Sequence, residues 1–187
     1  MKREGTKMTR FRQATIDDAK ELVAIYAPYI TNTTITFETE IPTIEDFQQR
    51  IKDITTNFPY LVAVDDDDKI LGYAYAHLYG TRAAYAWTVE ASIYVDHNYK
   101  GHGLGRELYQ RLEAILKRQG VVNLLAAVTE ENSGSVKFHG KLGYREVGTF
   151  QKAGFKFGRW LDVIWLQKEL NPKLPEMKPI VPFNELS

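Results

Sequence analysis

The chain has 187 residues, and its 24 Lys plus Arg against 24 Asp plus Glu leave a formal net charge of zero. At 44% hydrophobic and 12% aromatic it can bury a core, and its length fits one domain with a tail. The charge balance lacks a nucleic-acid binder's basic excess, and the absence of cysteine excludes disulfides, thiolate metal sites and a thiol nucleophile.

No apolar run approaches a bilayer span, and no signal-peptide core follows the basic start, so a soluble, cytoplasmic protein is expected. Residues 1–8 are polar and charged and are expected to be flexible; Met8 offers an alternative start. Residues 9–14 alternate weakly and read as a first strand. Thr15 and Asp18 form a capping pattern ahead of Ala19, Leu22, Val23 and Tyr26, which share one helix face. Pro28 is expected to end or bend that helix. Residues 31–39, rich in threonine and carrying Phe37, show no period and read as a loop or lid. Pro42 and Thr43 open a second helix whose buried face is Ile44, Phe47, Ile51 and Ile54. Residues 60–64 read as an apolar strand and 69–78 as its return. The four aspartates at 65–68 read as a solvated turn, because the alternating ligands and the Glu of a calcium loop are missing.

Residues 87–95 read as a buried strand. Residues 103–119 read as an amphipathic helix carrying Leu104, Leu108, Leu112 and Ile115, stopped by Gly120. A strand at 124–128, a helix at 133–142 stopped by Gly143, and strands at 144–150 and 160–169 follow. Strands and helices mix without βαβ alternation, which predicts an α+β fold on a mixed sheet. Prolines at 172, 175, 179 and 182 exclude helix and central strand beyond Asn171. Residues 9–170 are therefore the expected domain, and 171–187 an extended arm over the surface or onto a partner.

The most informative stretch is I-Y-V-D-H-N-Y-K-G-H-G-L-G-R at 93–106. An apolar strand runs into a glycine-rich loop that opens a helix. Free N–H groups at a helix start favour an anion, and glycine lets the backbone approach it. The Walker pattern is absent, and Arg106 breaks the dinucleotide fingerprint. On its own the loop reads equally as a phosphate cradle or as a glycine-rich turn. His77, His97 and His102 lack metal-ligand spacing, so no metal is expected.

K-G-H-G-L-G resembles the [QR]-x-x-G-x-[GA] loop of the GNAT-type N-acetyltransferases, departing where Lys100 stands for Gln or Arg. Asn132-Ser133-Gly134-Ser135 resembles that family's N-x-x-S, and Lys141-Leu142-Gly143-Tyr144 its K-x-G-[FY], in order across residues 11–170. Four further blocks, at 37–40, 82–90, 139–144 and 153–162, are similar to the phosphinothricin and methionine sulfoximine acetyltransferase branch. The resemblance implies a mostly antiparallel sheet flanked by helices, with a splayed central strand pair, acetyl-CoA as co-substrate and a homodimer. It implies that Lys100, Gly101, His102, Gly103, Leu104, Gly105 and Arg106 hold the pyrophosphate. Asn132 and Ser135 are expected beside the cofactor. A bulge is expected to splay the strand at Ile93, Tyr94 and Val95, whose backbone would face the thioester.

Transfer to an amine needs a base, and Glu90 is the candidate: a carboxylate in an apolar strand, where burial raises its pKa. Its bland alternative is a solvent-facing or Arg-paired Glu; the resemblance places the base here. Attack is expected to be direct, since no cysteine offers a ping-pong route. His139 stands where many relatives carry a tyrosine acid. It either donates a proton, hydrogen-bonds the cofactor or packs beneath it; a thiolate leaves without obligatory protonation. Arg82 is the candidate grip for a substrate carboxylate or else a solvated loop residue, and Phe37, Tyr85 and Trp87 are candidate pocket walls or core. The expected reaction is acetylation of a small amino-acid-like amine of the phosphinothricin or methionine sulfoximine/sulfone kind. Its alternatives are an aminoglycoside, polyamine or protein N-terminus as acceptor, or a sensor that binds acyl-CoA without turnover.

Overall fold

The computed structural model describes residues 9–186. Its strands are β1 (Arg10–Gln13), β2 (Tyr60–Val64), β3 (Ile70–Leu78), β4 (Thr88–Val95), β5 (Asn123–Thr129), β6 (Arg145–Lys156) and β7 (Arg159–Glu169). Its helices are α1 (Ala19–Asn32), α2 (Ile44–Asn57), α3 (Leu104–Gln119) and α4 (Ser133–Lys141). The strands form one seven-stranded sheet in the order β1-β2-β3-β4-β5-β7-β6, and only β4 and β5 pair in parallel. The segment expected to be flexible, residues 1–8, lies outside the described residues.

Both faces of the sheet are covered, so its inner strands are apolar on both sides. Leu104, Leu108, Leu112 and Leu116 of α3 pack on Val89, Ala91, Leu124 and Ala126. On the opposite face Leu22, Tyr26 and Tyr29 of α1 and Phe47 and Ile51 of α2 cover Tyr60, Tyr73 and Tyr94. Among the described residues no helix is long and apolar enough to cross a membrane.

Local chemistry sets the joints. Thr15 donates its N–H to Asp18 at 2.7 Å, and Arg12 grips the same carboxylate through both Nη atoms at 2.7 and 2.8 Å. Thr43 caps α2 by accepting the Asp46 N–H. Asp65 accepts the N–H groups of Asp67 and Lys69, which closes the acidic turn. Pro28 does not end α1, which continues to Asn32. The carbonyl it leaves without a donor belongs to Ala24, an exposed residue, where water can satisfy it.

β6 also outruns its expected end at residue 150, reaching Lys156. The pairing with β7 slips between Phe150 and Gly154, with Lys152 at φ 51° and its N–H bonded to Asp162 at 2.8 Å. This bulge interrupts the alternation on which the sequence reading relied. Phe157 and Gly158, at φ 51° and 76°, then make a tight two-residue hairpin turn.

The β4–β5 ladder contains only Thr88↔Asn123, Val89↔Leu124 and Glu90↔Leu125, after which the strands part. β4 keeps an unbroken register with β3, from Leu78↔Val89 to Gly72↔Val95. The expected bulge in β4 is therefore absent from that ladder. The tyrosine layer under α1 and α2 holds β4 to β3, with Tyr94 5.4 Å from Tyr73 and 4.6 Å from Tyr26 between ring centroids. The arm beyond β7 lies on its own chain. Asn171 donates to the carbonyls of Lys117 and Val121, and Trp87 donates its indole N–H to Lys178 at 2.7 Å. Buried Gln119 is bonded to Val181 through both backbone and side chain.

Candidate active site

Where β4 and β5 part, a cavity of about 60 Å³ opens between Ala91–Tyr94 and Ala126–Val128. Ile35 closes one side, and Tyr109, Asn132, Ser135 and His139 close the other. Antiparallel pairing turns alternate backbone groups outward. Tyr94 is bonded toward β3, while Ile93 turns its N–H and carbonyl toward the gap. Val95 also turns that way, but its carbonyl accepts the Tyr29 hydroxyl at 2.6 Å and its N–H reaches the same oxygen at 3.3 Å. Of the three residues expected to present backbone to a thioester, Ile93 alone is both turned into the gap and free of Tyr29.

The glycine loop leads from this gap to α3. Gly103 is the N-cap at φ 80°, and Gly101 stands at φ 90°. A Cβ on either would meet nothing within 4 Å, so the space in front of the helix is open. The first helical N–H bonds run from Arg106 and Glu107 to Gly103, leaving Leu104 and Gly105 directed out of the helix start. Lys100 sits with Nζ 5.0 Å from the Tyr29 ring, which also stacks on His97 at 4.5 Å and meets Tyr94 edge-on at 5.2 Å. Burial lowers the pKa of Lys100. His102 lies beside Tyr99, with centroids 5.1 Å apart.

On α4, Asn132 accepts the Ser135 N–H and so caps the helix. The Ser135 carbonyl, which can only accept, lies 2.8 Å from Nδ1 of His139, so that nitrogen carries the proton. Nε2, 2.9 Å from the Tyr109 hydroxyl, accepts from it. His139 is 3% exposed, and burial pushes its pKa down. It is thus a neutral imidazole whose one proton is engaged by Ser135.

Glu90 occupies the last paired rung before the gap, directly opposite His77 on β3. It is half-buried, and among the described residues no ion pair or hydrogen bond holds its carboxylate. Burial raises its pKa, partly offset by the charge of His77. This is neither the solvent-facing nor the Arg-paired glutamate of the bland reading.

The predicted substrate residues scatter. The Phe37 ring lies flush on Gly154 of β6, where a Cβ would overlap it. Around it the 33–43 loop is tied down. Buried Lys156 donates to the Thr36 carbonyl at 2.7 Å, and Thr36 meets the Tyr26 hydroxyl at 2.6 Å. Arg159 pairs with Glu131, which also accepts from Thr34. Arg82 is exposed ahead of the 3-10 turn Ala83–Tyr85, and among the described residues no ion pair engages it. Tyr85 stands edge-on to Tyr79 at 5.4 Å, and Trp87 is occupied by the C-terminal arm. Sequence reasoning missed Tyr29 and Tyr109. Tyr29 was hidden behind Pro28, and Tyr109 carries no signal that sets it apart from a core aromatic on α3.

A mixed sheet that opens between its parallel strands, with a glycine-capped helix before the opening, matches the fold of solved acetyltransferases. The acetyltransferase (GNAT) domain family matches residues 11–165, and the chain belongs to it. Within that family it is an acetyltransferase of the phosphinothricin and methionine sulfoximine type. A phosphinothricin N-acetyltransferase of Streptomyces viridochromogenes is 34% identical over 175 residues, 94% of each chain. An L-methionine sulfoximine/L-methionine sulfone acetyltransferase of Pseudomonas aeruginosa is 34% identical over 163 residues, 86% of this chain and 94% of the relative. The crystal structure of a Sinorhizobium meliloti phosphinothricin acetyltransferase in complex with acetyl-CoA superimposes with a TM-score of 0.86. It is 30% identical, over 94% of this chain and 98% of that one.

Proposed function

We propose that the chain acetylates the amino group of a small amino-acid-like compound, of the phosphinothricin or methionine sulfoximine/sulfone kind, by direct transfer with Glu90 as general base. The observation that carries this reading is the Glu90 carboxylate: unpaired, raised by burial, and set at the edge of the β4–β5 gap. An amine is mostly protonated near neutral pH, and a carboxylate raised toward that pH accepts its proton most efficiently.

Acetyl-CoA supplies the activated acetyl thioester. The residues present fit it: the open space before Gly101 and Gly103 and the outward N–H groups of α3 suit a pyrophosphate. His102, Leu104, Gly105 and Arg106 complete that turn, with Lys100 alongside. Ile93 directs its N–H at the gap, a fixed dipole of the kind that stabilises a developing oxyanion. Tyr94 and Val95 shape the strand there, and Asn132 and Ser135 line the same gap. His139 packs beneath it as a neutral residue. Arg82 offers its guanidinium to a substrate carboxylate, with Phe37, Tyr85 and Trp87 shaping the approach.

The test is acetyl-CoA-dependent release of thiol over a panel of methionine sulfoximine, methionine sulfone, phosphinothricin, common amino acids, spermidine and an aminoglycoside. Turnover centred on the first three is expected. Turnover of the polycations alone would overturn the substrate class.

The same reading makes the protein a cytoplasmic homodimer. Support for association comes from the β6–β7 hairpin, where Phe150, Phe155, Phe157 and Trp160 are each 55–61% exposed. Apolar side chains gathered in this way mark a contact surface. Sedimentation equilibrium of the wild type beside Trp160→Glu tests this, with a dimer expected for the first and dissociation for the second.

A further inference from the structure

The gap between β4 and β5 runs through the sheet, from the face covered by α3 and α4 to the face that carries Glu90. Tyr109, Ser135 and His139 line it at the first face, and Ile35, from the loop after α1, closes it at the second. Side chains alternate along a strand, so β4 and β5 offer Ser92, Tyr94 and Ala127 to the gap on the Glu90 face. The aliphatic group at that end is Ile35. It is half-buried and packs against the cluster that holds Tyr26, Tyr29 and Tyr94.

The chain on both sides of Ile35 is tied in place. Thr33 donates its hydroxyl to the Tyr29 carbonyl at 2.6 Å and accepts the Ile35 N–H at 3.2 Å. Thr34 donates to Glu131 at 3.1 Å, and Arg159 holds that carboxylate from the β6–β7 hairpin. The Thr36 hydroxyl meets Tyr26, and its carbonyl accepts from buried Lys156. In T-N-T-T-I-T, residues 31–36, Ile35 is the only apolar residue. Its neighbours thus fix the backbone while it fills the opening. A β-branched side chain is also stiff at χ1, so this wall gives way only if the ties break.

Resting on the acetylation reading above, we infer that Ile35 sets the length of acyl chain the enzyme transfers, admitting acetyl and rejecting propionyl and longer groups. A thioester carbon carries three substituents. With the sulfur leading back to the α3 face and the oxygen at the Ile93 N–H, the alkyl substituent is left to project toward the Glu90 face. A methyl meets the Ile35 side chain there; one further methylene needs the space that side chain fills. Overpacking against a fixed wall is what excludes it.

The experiment compares acetyl-, propionyl- and butyryl-CoA for wild type, Ile35→Ala and Ile35→Val. It reads thiol release with methionine sulfone as acceptor, and calorimetric Kd values for the two shorter thioesters and for free CoA. Wild type is expected to favour acetyl over propionyl in kcat/KM by about 10–200-fold, the range one methylene commands in a fitted pocket. In Ile35→Ala that ratio should fall by roughly tenfold or more through a gain with propionyl-CoA. Propionyl-CoA should also bind this variant more tightly than it binds wild type, with the Kd of free CoA unchanged. Ile35→Val, which removes a single methyl, should shift both readings the same way by less, and it carries the comparison should Ile35→Ala not fold. A residue that merely supported the loop would weaken all three thioesters alike. Wild-type acetyl transfer with a ratio that neither variant moves would overturn the gate and leave the acetylation reading standing. A shift in the Kd values without turnover of any thioester would do the reverse. Neither turnover nor a shift in Kd would overturn both.

Discussion

His77 and Glu90 face each other across the β3–β4 ladder, one rung from where β4 loses β5. Burial pushes the Glu90 carboxyl up, and the charge of His77 holds it partly down. On the proposed mechanism, the pair sets the pH at which Glu90 becomes competent as a base. His77→Gln removes the restraining charge, so the Glu90 pKa should rise further. A base works deprotonated, and the acid limb of the kcat/KM profile should therefore move to higher pH in the variant. A pH–rate profile for both proteins checks this, and an unmoved limb would separate His77 from Glu90.

Glu90 also bears on stability. A carboxyl whose folded pKa is raised favours the folded state when protonated, and that contribution is lost as pH rises through the folded value. At neutral pH the wild type keeps a charge in a half-buried site. Glu90→Gln should therefore be more stable there, by a few degrees, since about 1 kcal/mol moves Tm by roughly 2–4 °C at this size. The gain should fade below about pH 4, near the unfolded glutamate pKa. Melting curves at both pH values decide it.

His139 is expected to matter more for stability than for chemistry. Its folded pKa is depressed, so the unfolded chain binds its proton first as pH falls below about 6.5, and stability drops with acidification. His139→Gln should flatten that slope. Because its only proton is held by Ser135, turnover should stay within about tenfold of wild type, the lower reach of general-acid effects being ~100-fold. A thousandfold loss with intact acetyl-CoA binding would make it an acid after all.

Gly154 and Phe37 test the clamp over the 33–43 loop. Gly154→Ala puts a methyl into the Phe37 ring and should displace it. The expected outcome is a raised KM for the amine with acetyl-CoA binding unchanged. Combining it with Phe37→Ala should recover folding stability lost to the clash, which a double-mutant cycle measures.

Much of this architecture was legible because one face of each element carries its period. β2 has the bounds its apolar run predicts, and α3 is framed by Gly103 and Gly120, both at positive φ. What escaped was contact between distant segments. Lys152 and Gly154 break the alternation of β6, so the bulge concealed half a strand. Tyr29 lies beyond Pro28, where the sequence predicts the helix to end or bend. Tyr60, Tyr73, Tyr75 and Tyr94 sit on three strands, where each alone resembles core. Glu90 stands out in the sequence as a lone charge in an apolar strand, and the structure leaves it half-buried, with burial raising its pKa. Trp87 reads from the sequence as a pocket wall or core, and its indole is held by a tail whose path composition alone does not give.

The role of Glu90 is decided by Glu90→Gln, with kcat for methionine sulfone and the Kd for acetyl-CoA measured on the same preparation. An unchanged Kd and a kcat lowered about 10²–10⁴-fold at neutral pH are expected of a lost general base. Equal turnover in the variant and the wild type would contradict that role.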